Sequence, residues 1–391
     1  MKAANAAADE SRLIKVRVLD KEVQLRCRPE EEEELFQAVA YIDRSMSEAR
    51  RRSATSSLEK IAIVTAINTA HALLHARSRE GGQEETTARV ARLNETLDAL
   101  LADAALRPDG VIVATPNALH AAHAIACIEA GLPVLLEKPV APSAAEAAPL
   151  VERAAALGAR VLVGHHRAHS PLVQAARETV AAGTLGRLVT VTASATFVKP
   201  QHYFDEAPWR REPGGGPILL NLVHEVHNLR MLCGEIVAVQ AFSSNAVRGH
   251  AVEDTVVATL AFASGALGTL TLSDTAASPR SWEQTSGENP AYAHVDDEDC
   301  YVLAGTHGSL AVPTMRLTRY AAGTERSWWK PFERTALAVE RRDPIRLQVE
   351  HFGAVVRGEA IPRVTLADGV ANLAVVEAIA RAAETGATVE L

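Results

Sequence analysis

The sequence predicts an α/β unit carrying part of a doubly wound parallel sheet, then an α+β unit built on an antiparallel sheet. A β-hairpin with long amphipathic helices precedes both and reads as an oligomerisation unit. Three observations predict this. Apolar runs at about 110–114, 133–136 and 160–163 alternate with helical stretches at about 118–131 and 143–157, the pattern of parallel β-α-β units. From Leu188 onward, apolar and polar residues alternate as in strands buried on one face. Before Gly110, short alternation gives way to long helical spacing.

Residues 1–11 read as a disordered lead. Ile14, Val16 and Val18 alternate with Lys15 and Arg17, and Val23, Leu25 and Cys27 repeat the pattern, which predicts a hairpin around Leu19-Asp20-Lys21-Glu22. Pro29 suits a first helical position and Glu30 to Glu34 suit a helix N-terminus. Leu35, Ala38, Val39, Ile42 and Met46 keep helical spacing up to Arg50-Arg51-Arg52. Ser56-Ser57-Leu58-Glu59 reads as a capping box. It opens a longer helix whose stripe runs from Ile61 through Leu74 to Val90, Leu93, Leu97 and Leu100. A hairpin too small to fold alone, joined to such helices, points to a homo-oligomer. Further on, Gly131 and Gly158 fall where helices stop. Beyond Leu188 the predicted strands start near Val189, Ile236, Thr255, Leu267, Tyr301, Leu310 and Leu317. Helices are predicted at about 170–182, 217–233, 345–358 and 367–386.

The totals describe an ordinary soluble chain of two to three domains, with 391 residues, 48% hydrophobic and 23% charged. A net charge of −8 argues against a nucleic-acid binder. No apolar run approaches the roughly 18 residues of a membrane span. Asp9, Glu10 and Arg12 arrive before any apolar stretch that a signal peptide would need. Cys27, Cys127, Cys233 and Cys300 are scattered and form no CxxC pair, which suits a reducing compartment. The cytoplasm is the expected location.

The candidate site begins at Val134-Leu135-Leu136-Glu137-Lys138-Pro139, because ligands of open α/β sheets gather at the carboxyl ends of strands. Lys138 has two readings: a solvated lysine paired with Glu137, or a general acid/base whose pKa is lowered by burial and nearby positive charge. Three other segments accompany it in order: Val111 to His120, Val161 to Arg167, and Trp209 to Gly216. Together they resemble the Gfo/Idh/MocA family of NAD(P)-dependent oxidoreductases, from about Arg107 to Leu391. The resemblance implies a truncated Rossmann-like half at 107–167 and a C-terminal α+β domain at 168–391. The N-terminal stretch 12–103, with Leu58 to His71 in its longer helix, resembles the cell-division protein ZapA, which binds the FtsZ ring. There the resemblance implies partner contacts at Lys21 and Arg44, although without it Lys21 reads as an ordinary solvated turn lysine.

The family resemblance implies an NAD or NADP cofactor lying along Thr115, Pro116, Asn117 and His120, and near Glu137, Lys138, Pro139, Trp209 and Arg210. It implies a cis bond before Pro139, with Lys138 and His224 as catalytic residues. His165, Arg167, Asn221 and His224 would face a sugar-like substrate. The chain departs from the family pattern in two places: Leu220 stands where Asp is usual, and Ala168 follows Arg167 where a second Arg is usual. Trp209 and Arg210 read otherwise as a surface stack. Gly214-Gly215-Gly216 could receive an anion or form a flexible turn, and His165-His166 reads as pocket lining. His224-x-x-His227 has the spacing of a metal pair, but no metal is expected.

A dinucleotide site also needs a strand, a Gly-rich turn and a helix N-terminus for the pyrophosphate. Before Gly110 the only glycines are Gly81 and Gly82, and they follow a helical stretch. The first strands of the doubly wound sheet are therefore expected to be missing, with Val111-Ile112-Val113 left as an apolar edge. Two functions follow. One is a sugar or polyol oxidoreductase impaired by loss of the phosphate-binding turn. The other is a ZapA-like division protein with a non-catalytic C-terminal passenger.

Overall fold

The computed structural model describes residues 12–18, 21–27, a few helical positions between 36 and 47, and 108–391. The chain divides into two compact units, Met1–Asp98 and Ala99–Leu391.

In the first unit, β1 (Arg12–Val18) pairs antiparallel with β2 (Lys21–Cys27), from Arg12 opposite Cys27 to Val18 opposite Lys21. Ile14 and Val16 are buried and Val39 packs on them, while Lys15 and Arg17 are exposed. Strand alternation thus makes the single apolar face. Lys21 is the exposed first residue of β2 rather than part of the turn. Arg44 and the long stripe from Ile61 to Leu100 lie outside the described residues.

In the second unit, β3 (Val111–Val113), β4 (Val134–Leu136) and β5 (Val161–Val163) form a parallel sheet in that order. Helices α1 (His120–Glu129) and α2 (Ala144–Leu157) make the crossovers. Ser143 caps α2 by accepting from Glu146 N, and Gly158 ends it with φ +58°. β4 and β5 are buried throughout, as runs without alternation require. β3 is the edge among the described residues, and Ile112 at its centre is 52% exposed. At the far side, β5 receives the segment before the last helix: Val163 N donates to the Val364 carbonyl at 2.9 Å.

The larger sheet comprises β6 (Leu188–Thr196), β7 (Ile236–Ser244), β8 (Thr255–Phe262), β9 (Leu267–Ser273), β10 (Tyr301–Gly305), β11 (Gly308–Val312), β12 (Arg316–Arg319), β13 (Glu333–Ala336) and β14 (Val389–Glu390). Their order is β13-β12-β11-β10-β6-β9-β8-β7-β14. The sheet is mixed rather than antiparallel throughout, because β6 lies parallel to β9. Between β6 and β7 the chain leaves the sheet for α4 (Val223–Cys233), so β6 meets β9 across a crossover. Alternation along a strand reports which face it buries, not which strand it joins.

One face of this sheet packs on α3 (Pro171–Ala181), α4 and the last helix, α6 (Leu366–Thr385), which follows α5 (Pro344–Arg357). Val226, Leu229, Val376 and Ile379 meet Leu260, Leu270 and Leu303 in that core. The other face carries the exposed Val189, Val237, Val257, Leu267 and Val302. Thr365 and Asp368 cap α6 reciprocally. Gly369 then lets the helix lie against the parallel sheet, where a Cβ would stand 2.6 Å from Val140 Cγ1 and 3.3 Å from Val163 Cγ2.

Gly369→Val should therefore lower the unfolding free energy by about 1–3 kcal/mol through overpacking. Denaturant unfolding of wild type and variant checks this.

Candidate active site

β4 runs directly into Glu137-Lys138-Pro139, and the Lys138–Pro139 bond is cis, as the family resemblance implied. Lys138 Nζ donates to the Leu220 carbonyl at 3.1 Å. Leu220 lies in a π-helical turn, Ile218–Leu222, that leads into α4. Such widened turns recur at functional sites. Burial lowers the Lys138 pKa to about 8, Glu137 opposes this, and Arg167 and Lys199 add to it. A lysine held on a carbonyl among other cations is not the solvated surface lysine of the first reading. Burial raises the pKa of Glu137 while Lys138 draws it down. Gly164 makes room for the Glu137 carboxylate, since a Cβ there would stand 2.9 Å from it.

The loop after β3 is tied to this peptide through His120. The ring Nδ1 lies 2.7 Å from the Pro139 oxygen and Nε2 lies 2.7 Å from the Thr115 oxygen. Carbonyls only accept, so a neutral ring donates to one of them and the imidazolium to both. Burial lowers the His120 pKa while the two carbonyls raise it. His120 therefore shapes the loop of Thr115, Pro116 and Asn117. Its own nitrogens are already engaged.

After β5, Arg167 Nη1 donates to Glu225 Oε1 at 2.6 Å and Nη2 donates to Glu283 Oε1 at 3.2 Å. The second Glu225 oxygen accepts from the Tyr301 hydroxyl, which in turn accepts from Asn228 Nδ2 at 3.0 Å. Burial works against the Arg167 charge, but Glu225 and Glu283 outweigh it and hold the pKa above its usual value. The guanidinium is thus held within the protein beneath the site.

Near Lys138 stand His165, His166 and His224, with His227 behind His165. His165 stacks on His227 with centroids 4.4 Å apart and lies edge-on to His224 at 6.0 Å, while His166 meets His224 at 5.1 Å. Burial lowers all four pKa values, that of His166 to about 3 and that of His227 to about 4. Lys138 and Arg167 push those of His165, His166 and His224 lower still. The cluster is neutral at pH 7. His227 Nδ1 faces Asn372 Nδ2 at 3.0 Å. Among the described residues no group of three metal-ligating side chains is present.

Trp209 is 52% exposed. Arg210 stacks more closely on Tyr203, 3.7 Å from that centroid, than on Trp209 at 5.7 Å. Of the glycines that follow, Gly215 and Gly216 serve close packing, while Gly214 takes a left-handed turn at φ +90°. A Cβ at Gly215 would stand 2.3 Å from the Trp209 oxygen, and one at Gly216 would stand 2.4 Å from Glu253 Oε1. Glu253 accepts from Ile218 N at 2.7 Å, so the anion at this helix start is a carboxylate of the chain itself. Asn221 is held by Lys199, whose Nζ donates to its Oδ1 at 2.7 Å and lies 3.5 Å from Asp274 Oδ2.

Sequence reasoning missed Lys199, Asp274, Glu225, Glu283 and Asn372. Glu225 adjoins His224 on the same helix, the one local signal among them. The others lie far along the chain and carry no local signal.

The model of the GFO/IDH/MocA C-terminal domain matches residues 173–311, and that of cell division protein ZapA matches residues 14–100. An inositol 2-dehydrogenase of Saccharopolyspora erythraea is 33% identical over 297 residues, covering 75% of this chain and 79% of that protein. The chain belongs to the Gfo/Idh/MocA family. A second relative, the NADP(+)-dependent D-xylose 1-dehydrogenase of Haloferax volcanii, is 30% identical and covers 75% of this chain and 83% of its own. Shares of 79% and 83% leave about a fifth of each relative unmatched. Among solved structures, the WlbA dehydrogenase of Bordetella pertussis, determined with NADH and UDP-GlcNAcA, shares the fold at a TM-score of 0.58. It is 24% identical, over 75% of this chain and 82% of that one.

Arg167→Met leaves the buried Glu225 carboxylate without its cation, and should cost about 3–5 kcal/mol of stability. Arg280→Met, at an exposed pair with Glu298, should cost no more than about 1 kcal/mol. Parallel thermal and denaturant unfolding of the two variants tests the contrast.

Proposed function

We propose that residues 107–391 form an oxidoreductase unit for a sugar or polyol hydroxyl, with a weakened hold on its nicotinamide dinucleotide. Residues 107–167 would supply the cofactor side and residues 168–391 the substrate side. The observation that carries the reading is Lys138, enclosed at the end of β4 and bonded to the Leu220 carbonyl among neutral histidines. The names of the relatives, an inositol dehydrogenase and a xylose dehydrogenase, support the substrate class. NAD and NADP are both compatible with it.

The residues present suit the nicotinamide end of the cofactor: Thr115 to Asn117 beside one strand end, and Glu137 to Pro139 beside the next. They do not suit its pyrophosphate, because the sequence before Gly110 carries no glycines but Gly81 and Gly82 and so no Gly-rich phosphate fingerprint. When bound, the dinucleotide supplies the hydride acceptor. The chain's own part is proton transfer. A neutral Lys138 amine accepts the proton of the substrate hydroxyl, and its ammonium returns one in the reverse direction. His224 stands beside it as a second proton-handling group, and Lys199 fixes the Asn221 amide toward the substrate side. Trp209 and Arg210 line the approach, whereas His165 is buried against Asn372 and His227.

Titration with NAD(H) and NADP(H), followed by calorimetry, is the primary test. Dissociation constants well above the micromolar range, with slow turnover of myo-inositol or D-xylose, are expected. Micromolar binding would overturn the weakened-hold reading, and absence of turnover at saturating dinucleotide would overturn the oxidoreductase reading. Any oxidation rate should rise about tenfold per pH unit below pH 8 and level off above it, as the Lys138 ammonium loses its proton. Lys138→Met should abolish that rise and lower the rate about 10²–10⁴-fold.

A second reading is favoured by the ZapA match over residues 14–100 and by the paired strands β1 and β2. It makes the N-terminal unit a homo-oligomerising partner of the FtsZ ring in the cytoplasm, contacting it through the exposed Lys21 and through Arg44. Among the described residues no helix is long and apolar enough to cross a membrane. Co-sedimentation with FtsZ polymers should then occur and fall several-fold in Lys21→Glu. A monodisperse monomer in light scattering would contradict the oligomer.

A further inference from the structure

Asn372 lies fully buried on α6, between groups that leave its amide one orientation. Its Oδ1 meets Arg230 Nη1 at 2.6 Å. A guanidinium only donates, so the amide oxygen faces Arg230 and the NH₂ group faces away. Arg230 is itself clamped: Nε and Nη2 hold Glu235 at 2.9 and 2.8 Å, and Nη1 also donates to the Asp368 carbonyl at 3.2 Å.

The Asn372 amide nitrogen lies 3.1 Å from His165 Nε2 and 3.0 Å from His227 Nδ1. An amide nitrogen carries two hydrogens and accepts none, so both ring nitrogens are bare acceptors. In a neutral imidazole the proton then sits on the other nitrogen. For His165 that is Nδ1 and for His227 it is Nε2, and both atoms are buried without a hydrogen-bond partner in the protein. His165 faces His227, Lys138, His166 and Arg167, while His227 faces Asp368 and Arg230.

We propose that Asn372 is a positioning residue that locks His165 in the Nδ1–H tautomer and His227 in the Nε2–H tautomer, so that the stacked pair stays neutral and fixes the wall against which His224 stands. This rests on the oxidoreductase reading for its purpose, but not for its geometry. With both rings neutral, neither adds a cation to the Lys138 site, and the edge of His165 sets how the His224 ring can lie. Asn372 itself need not touch a substrate.

Long-range ¹⁵N–¹H spectra of the full chain with labelled histidine at pH 7, without substrate or dinucleotide, read the tautomers directly. His165→Gln and His227→Gln assign the signals. The expected result is protonated Nδ1 and bare Nε2 for His165, and the reverse for His227. Wild type with His165 protonated at Nε2 would overturn the proposal. In Asn372→Asp the carboxylate only accepts, so both rings must donate to it. Their bare and protonated positions should exchange, and ring protonation should move to higher pH. A folded Asn372→Asp variant that keeps the wild-type tautomers would also overturn it. If Asn372→Asp does not fold, the wild-type spectrum decides alone. Failure of dinucleotide binding or of myo-inositol turnover would leave these spectra unchanged, so the two readings fail separately.

Discussion

The hydrogen bond from Lys138 Nζ to the Leu220 carbonyl joins the two halves of the second unit at the point where chemistry is expected. The donor sits at the end of a three-stranded parallel sheet, and the acceptor in the turn that opens a helix packed on the nine-stranded sheet. The bond is modest in energy, since a charged donor in a protein contributes about 1.5–3 kcal/mol net. Its larger effect is on the proton. With its ammonium drawn from water and flanked by Arg167 and Lys199, the lysine has a pKa near 8. Neighbouring features follow from accommodating that group: a glycine at 164 to admit Glu137, histidines held neutral, and a cis peptide anchored by His120.

Beneath the lysine, charge is compensated in a graded way. Arg167 is paired with two carboxylates and closed by the Tyr301 hydroxyl, a buried assembly in which removal of any one charge leaves another stranded. Lys199 and Arg248 share Asp274 in the same manner. Arg230 is spent on Glu235 and Asn372. Fixed dipoles and paired charges around a group that gains and loses a proton are what preorganised catalysis requires, because little must reorganise during the reaction.

The phosphate end presents the opposite case. Among the described residues the parallel sheet ends at β3, whose outer position Ile112 is about half exposed, and the sequence before Gly110 carries no glycines but Gly81 and Gly82. The relatives extend about a fifth beyond what this chain matches. Dinucleotide affinity comes largely from backbone N–H groups at a helix N-terminus gripping the pyrophosphate. A site can therefore keep its proton-handling residues and still bind a dinucleotide weakly.

Local patterns settled much of this protein. Uninterrupted apolar runs marked β4 and β5, alternation marked β6 to β10, and Gly158 marked the end of α2, because each depends on residues within a turn or a strand of one another. Glu137, Lys138 and Pro139 point to a candidate site at a strand end only together with the segments at 111–120, 161–167 and 209–216. The tertiary structure decided the rest. That β6 runs parallel to β9, that the anion at the tri-glycine turn is Glu253, and that Lys199 holds Asn221 are outcomes of chain crossings with no local signature. Lys138 and Leu220 are 82 residues apart, and His165 and Asn372 are 207 apart. Such pairings arise only when whole elements pack, since the free energy that fixes them lies in the shared core and not in either segment alone.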